Sequence, residues 1–162
     1  QHQIYKNMKQ VDNVDKEILK ILQTDCRITA KEIANRLGMS KTPVYERIKK
    51  LESQGFITKY VALTDPKKAG KGLIIYLSVI LDNHTKEAVD EFVKKIKLLP
   101  EVNECYYVSG NVDFLLKVFI KDMDDYHRFI TQDFSNIKNM SRFYSSFVLE
   151  TSKHETAFEF ED

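Results

Sequence analysis

The chain is short of three things, and each absence narrows what it can be. Cysteine is scarce: Cys26 and Cys105 are the only two in 162 residues, far apart and without CxxC or Cys/His spacing. Such a pair supports neither a disulfide framework nor a zinc site and fits a reducing compartment, so a cytoplasmic location is expected. Long apolar runs are also missing. The longest, LIIYLSVIL at residues 73–81, is nine residues and carries Ser78, whereas crossing a bilayer takes about 20. No membrane partner is expected. Third, there is no catalytic constellation: His84, His127 and His154 stand apart, with no adjacent nucleophile, metal-ligand set or phosphate loop. No catalytic residue, metal or cofactor is therefore expected. The opening QHQIYKNMKQ has no apolar segment or cleavage site of a secretory signal; Met8 is a candidate start, and residues 1–7 are left out of the fold reading.

What is present begins with charge. The net charge of +1 hides a segregation: residues 1–63 hold 12 Lys/Arg and 7 Asp/Glu, net +5, and residues 64–162 hold 13 and 17, net −4. A basic module that meets a polyanion, joined to an acidic module with another task, is the arrangement this suggests. The 43% hydrophobic content is enough for real cores in both.

Three short helical patterns fill residues 12–54. Asp12 can cap a helix with Val14, Ile18, Ile21 and Leu22 at the helical period and Asp15 in its first turn. Thr29 and Glu32 form a capping-box pattern for a second, barely two turns long, stopped at Gly38. Ser40 opens a third, KTPVYERIKKLES, where Pro43 sits harmlessly in the first turn and Gly55 ends it. Val44, Ile48 and Leu51 form one narrow stripe of that helix, leaving Lys41, Thr42, Tyr45, Glu46, Arg47, Lys49 and Lys50 off it. Two helices, a GMS turn and a polar-faced third helix describe a helix-turn-helix that places the third helix in the major groove of double-stranded DNA. Thr42, Tyr45 and Glu46 are placed to read bases, and Lys41, Arg47, Lys49 and Lys50 to hold phosphates, with Ser40 at the helix start.

The run from VDNVDKEILKILQTDCRITAKEIANRLGMS through SKTPVYERIKKLESQGFI, residues 11–57, resembles the DNA-binding half of the Lrp/AsnC (leucine-responsive, feast/famine) family of transcription regulators. The resemblance implies that the third helix is the recognition helix and that FITKYVAL, residues 56–63, is a short strand leading into a hinge. TDPKKAGKG, residues 64–72, reads as the linker.

From Leu73 the order becomes β-α-β-β-α-β: strands at 73–81, 102–109, 112–120 and 141–150, helices at 85–99 and from Asp122. This predicts an α+β chain, a winged helix-turn-helix followed by a ferredoxin-like sandwich, with domains at 8–63 and 73–152, a linker at 64–72 and a tail at 153–162. Gly110-Asn111 suits a tight hairpin. Ile74, Tyr76, Ile80, Tyr106, Leu115 and Phe119 would lie on the uncovered sheet face and call for a partner. NECYYVSGNVDFLLKV, residues 103–118, resembles the core of the same family's effector-binding domain, which implies a homodimer assembling into higher oligomers and an amino-acid effector.

Within SGNVD, Gly110 and Asn111 can offer backbone N–H groups to a carboxylate and Asp113 an acceptor for an ammonium. The resemblance adds a last-strand T-x-T site, where this chain has Phe143 and Ser145; Ser145 keeps a hydroxyl, and Phe143 favours an apolar ligand side chain such as leucine or methionine. The alternative is an effector-independent DNA-organising protein, because wrapping DNA needs only a basic rim on assembled dimers. Proteins resembling the family also include tetrapyrrole decarboxylases, but the retained basic recognition helix argues against an enzyme here.

Overall fold

The structure is a computed structural model describing residues 11–160; the expectations for residues 1–10 and 161–162, including the start of the first domain and the end of the tail, lie outside them. The described residues divide into two compact units, 11–62 together with 153–160, and 63–152.

The first unit holds α1 (Asn13–Thr24), α2 (Ala30–Arg36) and α3 (Lys41–Ser53). Two capping boxes form, the expected one at Thr29 and another at Asp12. Asp12 accepts the Asp15 N–H at 2.8 Å, and Thr29 accepts the Glu32 N–H at 3.3 Å while Glu32 accepts the Thr29 N–H at 2.8 Å. These bonds satisfy donors that a helix start otherwise leaves open. Gly38, at φ +64°, supplies the left-handed stop that lets the Met39 N–H reach back to the Ala34 carbonyl at 2.9 Å. Ile18, Leu19, Ile33, Ala34, Val44 and Leu51 close the core, with Ile48, Phe56 and Ile57 against it. Ser40 precedes α3 without capping it through its side chain.

One expectation fails here. Residues 56–63 form neither helix nor strand; their β-rich composition has no ladder partner among the described residues, and a strand exists only when paired.

The second unit is a four-stranded antiparallel sheet, order β2-β3-β1-β4, of β1 (Leu73–Leu81), β2 (Val102–Tyr107), β3 (Phe114–Ile120) and β4 (Met140–Phe147). One face carries α4 (Lys86–Ile96) and α5 (Met123–Arg128), the latter running into a wider π turn, Phe129–Phe134. Alternation works as the period of two demands: Ile75, Leu77, Val79 and Leu81 on β1, and Phe114, Leu116, Val118 and Ile120 on β3, are buried under Phe92, Ile96, Phe129 and Phe134. Gly72 is required by close approach, since a Cβ there would lie 2.7 Å from the Lys121 carbonyl oxygen.

Differences from expectation sit at element ends. The last strand stops at Phe147 and the helix before β2 at Ile96, short of the expected 150 and 99, and Leu149 is 98% exposed. The hairpin after β2 is a loop over residues 108–113, closed by the Val108 N–H on the Asp113 carbonyl at 2.9 Å, not a two-residue turn.

The uncovered face is continuous. Register places Tyr106 beside Leu115, Leu115 beside Ser78 and Ser78 beside Tyr144 in one row. The next row runs from Glu104 through Lys117 and Tyr76 to Ser146, with a Lys117–Glu104 ion pair at 3.0 Å.

Candidate nucleic-acid interface

The sequence of α3 builds a helix with two distinct sides. Val44 and Leu51 are buried and Ile48 half-buried, while Ser40, Lys41, Thr42, Tyr45, Glu46, Lys49 and Lys50 are all exposed. Tyr45 stands 48% exposed with the Lys49 ammonium 5.7 Å from its ring centroid. Lys49 also pairs with Glu52 at 2.8 Å, and that pairing, first by hydrogen bond and then by charge, raises its pKa. Glu52 in turn accepts the Tyr60 hydroxyl at 3.0 Å; burial, then that bond, pushes the Tyr60 phenol up to about 12. The face is therefore a preorganised polar surface one helix long, with the width an α-helix presents to a major groove.

Arg47 departs from the role expected of it. Its Nη1 donates to Asp12 at 2.6 Å and to Asp15 at 2.7 Å, and Asp15 is only 2% exposed. The guanidinium thus ties α3 to the start of α1 and holds α3 in place. Its pKa is raised by the bonds to Asp15 and then Asp12. The physical reason lies in helix geometry: Arg47 is one turn from Val44 and Leu51, about 60° from Val44 around the axis, at the edge of the buried stripe.

This network sets an acid limit. The Asp15 N–H, then Arg47, hold the Asp12 carboxyl below its ordinary 3.8. A carboxyl lowered by folding stabilises above its unfolded value and loses that contribution as pH falls through the folded one. We expect the DNA-binding unit to lose stability from about pH 4 downward, checked by thermal melts across pH 2–6, with the drop blunted in Asp12→Asn.

In the second unit the proposed effector residues are not brought together. The Asp113 carboxylate is occupied: it accepts the Leu81 N–H at 2.7 Å and bonds His84 Nε2 at 2.9 Å. Its own N–H donates to the Val79 carbonyl at 2.8 Å. Asp113 clamps the loop to β1, and its expected role as an open ammonium acceptor is corrected accordingly. Gly110 and Asn111 are exposed at the loop tip, Gly110 at φ +130°. Ser145 lies across β1 from that loop, paired in register with Leu77, and bonds the Tyr126 hydroxyl at 2.7 Å. Phe143 packs edge-on against Phe134, centroids 5.2 Å apart, as part of the core and not as a ligand wall. Sequence reasoning missed His84 and Tyr126, the partners that engage the two polar groups; nothing in their local spacing signals either.

Comparisons with known proteins match both halves of the chain. A family profile described as "Lrp/AsnC ligand binding domain" matches residues 74–158, and one described as "Winged helix-turn-helix DNA-binding" matches residues 11–58. The leucine-responsive regulatory protein of Escherichia coli is 33% identical over 145 residues, 90% of this chain and 88% of that protein. A transcriptional regulator of Neisseria meningitidis, solved as an L-Met complex, superposes with a TM-score of 0.87 at 32% identity, covering 92% of this chain and 96% of that one. An AsnC family transcriptional regulator of Agrobacterium tumefaciens gives 0.86 at 34%, covering 91% and 96%.

Proposed function

The chain belongs to the Lrp/AsnC family of transcription regulators, and on that footing we propose that it works as a homodimer, assembling further, whose α3 helices read double-stranded DNA under control of a hydrophobic amino acid. It is a DNA-binding regulator with a ligand-binding module, from a family of regulators and not of enzymes. The working division is a DNA-binding domain at 8–63, a linker at 64–72, an effector and oligomerisation domain at 73–152 and a tail at 153–162. Its site of action is the nucleoid, where its target is.

The observation that carries the DNA reading is the exposed polar side of α3 on a buried three-helix core. Thr42, Tyr45 and Glu46 face the base edges, and Lys41, Lys49 and Lys50 the flanking phosphates, with Ser40 and the first-turn N–H groups at the entry. Two equivalent helices in a dimer then require half-sites separated by whole helical turns. Selection of binding sites from random DNA tests this: a pseudo-palindrome is expected, with Thr42→Ala or Tyr45→Ala changing the preferred bases. Lys49→Ala and Lys50→Ala should instead weaken all sequences alike and flatten the log–log salt dependence by about 0.9 for each phosphate no longer neutralised. Full affinity after neutralising both would remove α3 from the interface.

The Neisseria meningitidis relative was solved with L-Met, and this supports methionine or leucine as effector here. Exposed Gly110 and Asn111 supply backbone N–H groups for its carboxylate, and Asp113 sets the loop's shape through Leu81 and His84. Ser145 adds its hydroxyl from β4 where subunits assemble around the site. Asp113→Ala is expected to abolish the effector response while the sheet stays folded. Titration calorimetry with all twenty amino acids, at concentrations where the multimer forms, should give heat for leucine or methionine. No heat for any of them would put the DNA-organising alternative in front.

A further inference from the structure

After β4 the chain does not simply trail away. Residues 149–157 are all exposed, yet residues 158–160 settle onto α1, 135 residues distant in sequence from the glutamine that receives them. Gln23 Nε2 donates to the Phe158 carbonyl at 3.0 Å, and Gln23 Oε1 accepts the Phe158 N–H at 3.1 Å. A primary amide used in this way reproduces what a neighbouring strand offers a residue, satisfying both backbone groups at once. Two positions on, Phe160 packs against the helical core and is the one residue of 151–160 that is not exposed. The Phe158 ring lies 5.4 Å from it and stays 68% exposed. Between them Glu159 lies 4.0 Å from the Lys20 ammonium. Lys20 and Gln23 are three apart on α1 and so share a face.

We propose that α1 carries a docking site for the Phe-Glu-Phe segment at residues 158–160, and that this segment is a strap giving the DNA-binding unit a second, noncovalent link to the rest of the chain. The first link leaves that unit at residue 62; the strap re-enters it at residue 153. Each element of the contact has its own chemistry: an amide that reads backbone, an apolar notch that takes one ring, and a cation for the acid between. A contact of this size is weak between separate molecules, but a tether holds its ends at an effective concentration in the millimolar range, enough to keep it docked while leaving it reversible. With the strap docked, the recognition helix is held by two tethers and loses less freedom when it engages an operator. The strap does not use α3, so it alters affinity without altering which bases are preferred.

The chain contains no tryptophan, which makes the test direct on the full-length protein. Phe160→Trp should emit at the blue-shifted wavelength of a half-buried indole and resist iodide quenching, whereas Phe158→Trp, at the exposed ring, should emit as in water. Adding Gln23→Ala to Phe160→Trp should move its emission to that of water, and so should excess synthetic peptide copying residues 153–162. In a chain otherwise unaltered, Gln23→Ala should weaken operator binding by roughly threefold to tenfold as the effective concentration disappears, with the selected sequence unchanged. Water-like emission from Phe160→Trp, or emission indifferent to Gln23→Ala, overturns the docking site. Unchanged operator affinity in Gln23→Ala overturns the strap. The fluorescence needs no DNA, so its outcome is independent of the operator reading.

Discussion

Replacing Arg47 with Met is expected to destabilise the DNA-binding unit by about 3 kcal/mol, near the lower end for breaking a buried ion pair. The cost arises on the partner. Asp15 is 2% exposed, and without the guanidinium at 2.7 Å its carboxylate is left buried, with only the Asp12 N–H at 3.4 Å and little water to replace the missing bond. Arg47 itself is 29% exposed, which keeps the figure from the top of the range. Removing both charges should reverse most of the loss, because Asp15→Leu with Arg47→Met exchanges an ion pair for packing of similar volume. Urea denaturation of the two single variants and the double one measures the coupling.

The same variants separate two roles for Arg47 in DNA binding. If it touches a phosphate, its loss lowers the log–log salt slope by about 0.9. If it holds α3 against α1, as the bonds to Asp12 and Asp15 indicate, affinity falls with stability and the slope stays, and the stable double variant regains affinity. A lowered slope in the double variant at full stability would return Arg47 to the interface.

What the sequence made legible follows from how local each cause is. Caps and stops were readable because Asp12 with Asp15, Thr29 with Glu32, and Gly38 act within four residues of themselves. The sheet was readable because alternation along β3 directly encodes which side is buried. The side of α3 that faces away from the core was readable for the same reason. Arg47 reads from its charge as a phosphate contact, whereas its position beside Val44 and Leu51 brings it to Asp12 and Asp15. Asp113 could not have been read correctly, since its partners Leu81 and His84 are about thirty residues away and meet it only when β1 and β3 pair. Ser145 depends likewise on Tyr126 across the sheet's covered side. The strap is the extreme case: its two halves are 135 residues apart, and Phe158 and Phe160 read in isolation as stray aromatics in an acidic tail.

The open face of the sheet gives the other large expected effect. Ile74, Tyr76, Ile80, Leu115 and Phe119 are half-buried and Tyr106 and Tyr144 exposed, an apolar surface with one ion pair, Lys117–Glu104, set within it. A sheet face of this composition is stable in water when a second copy covers it, and a two-fold axis through it would use the same patch on both chains. Leu115→Asp and Tyr106→Asp place a carboxylate in that patch, where pairing would bury it while the nearby Lys117 is already engaged by Glu104. Both variants should be monomeric by light scattering at micromolar concentration, while Leu149→Asp, at a residue 98% exposed, should keep the parent's assembly. Tyr106 is 51% exposed in the single chain, so its substitution leaves the fold intact and isolates the effect on pairing. A monomer brings one recognition helix to the duplex where a dimer brings two, so operator affinity should fall by roughly 100-fold or more. The salt slope should fall to about half, because a single module neutralises half the phosphates. A half-site alone should be bound as well by the variants as by the parent. If Tyr106→Asp stays dimeric and keeps operator affinity, the copies meet through another surface, and the spacing expected of the half-sites has to be derived from that one instead.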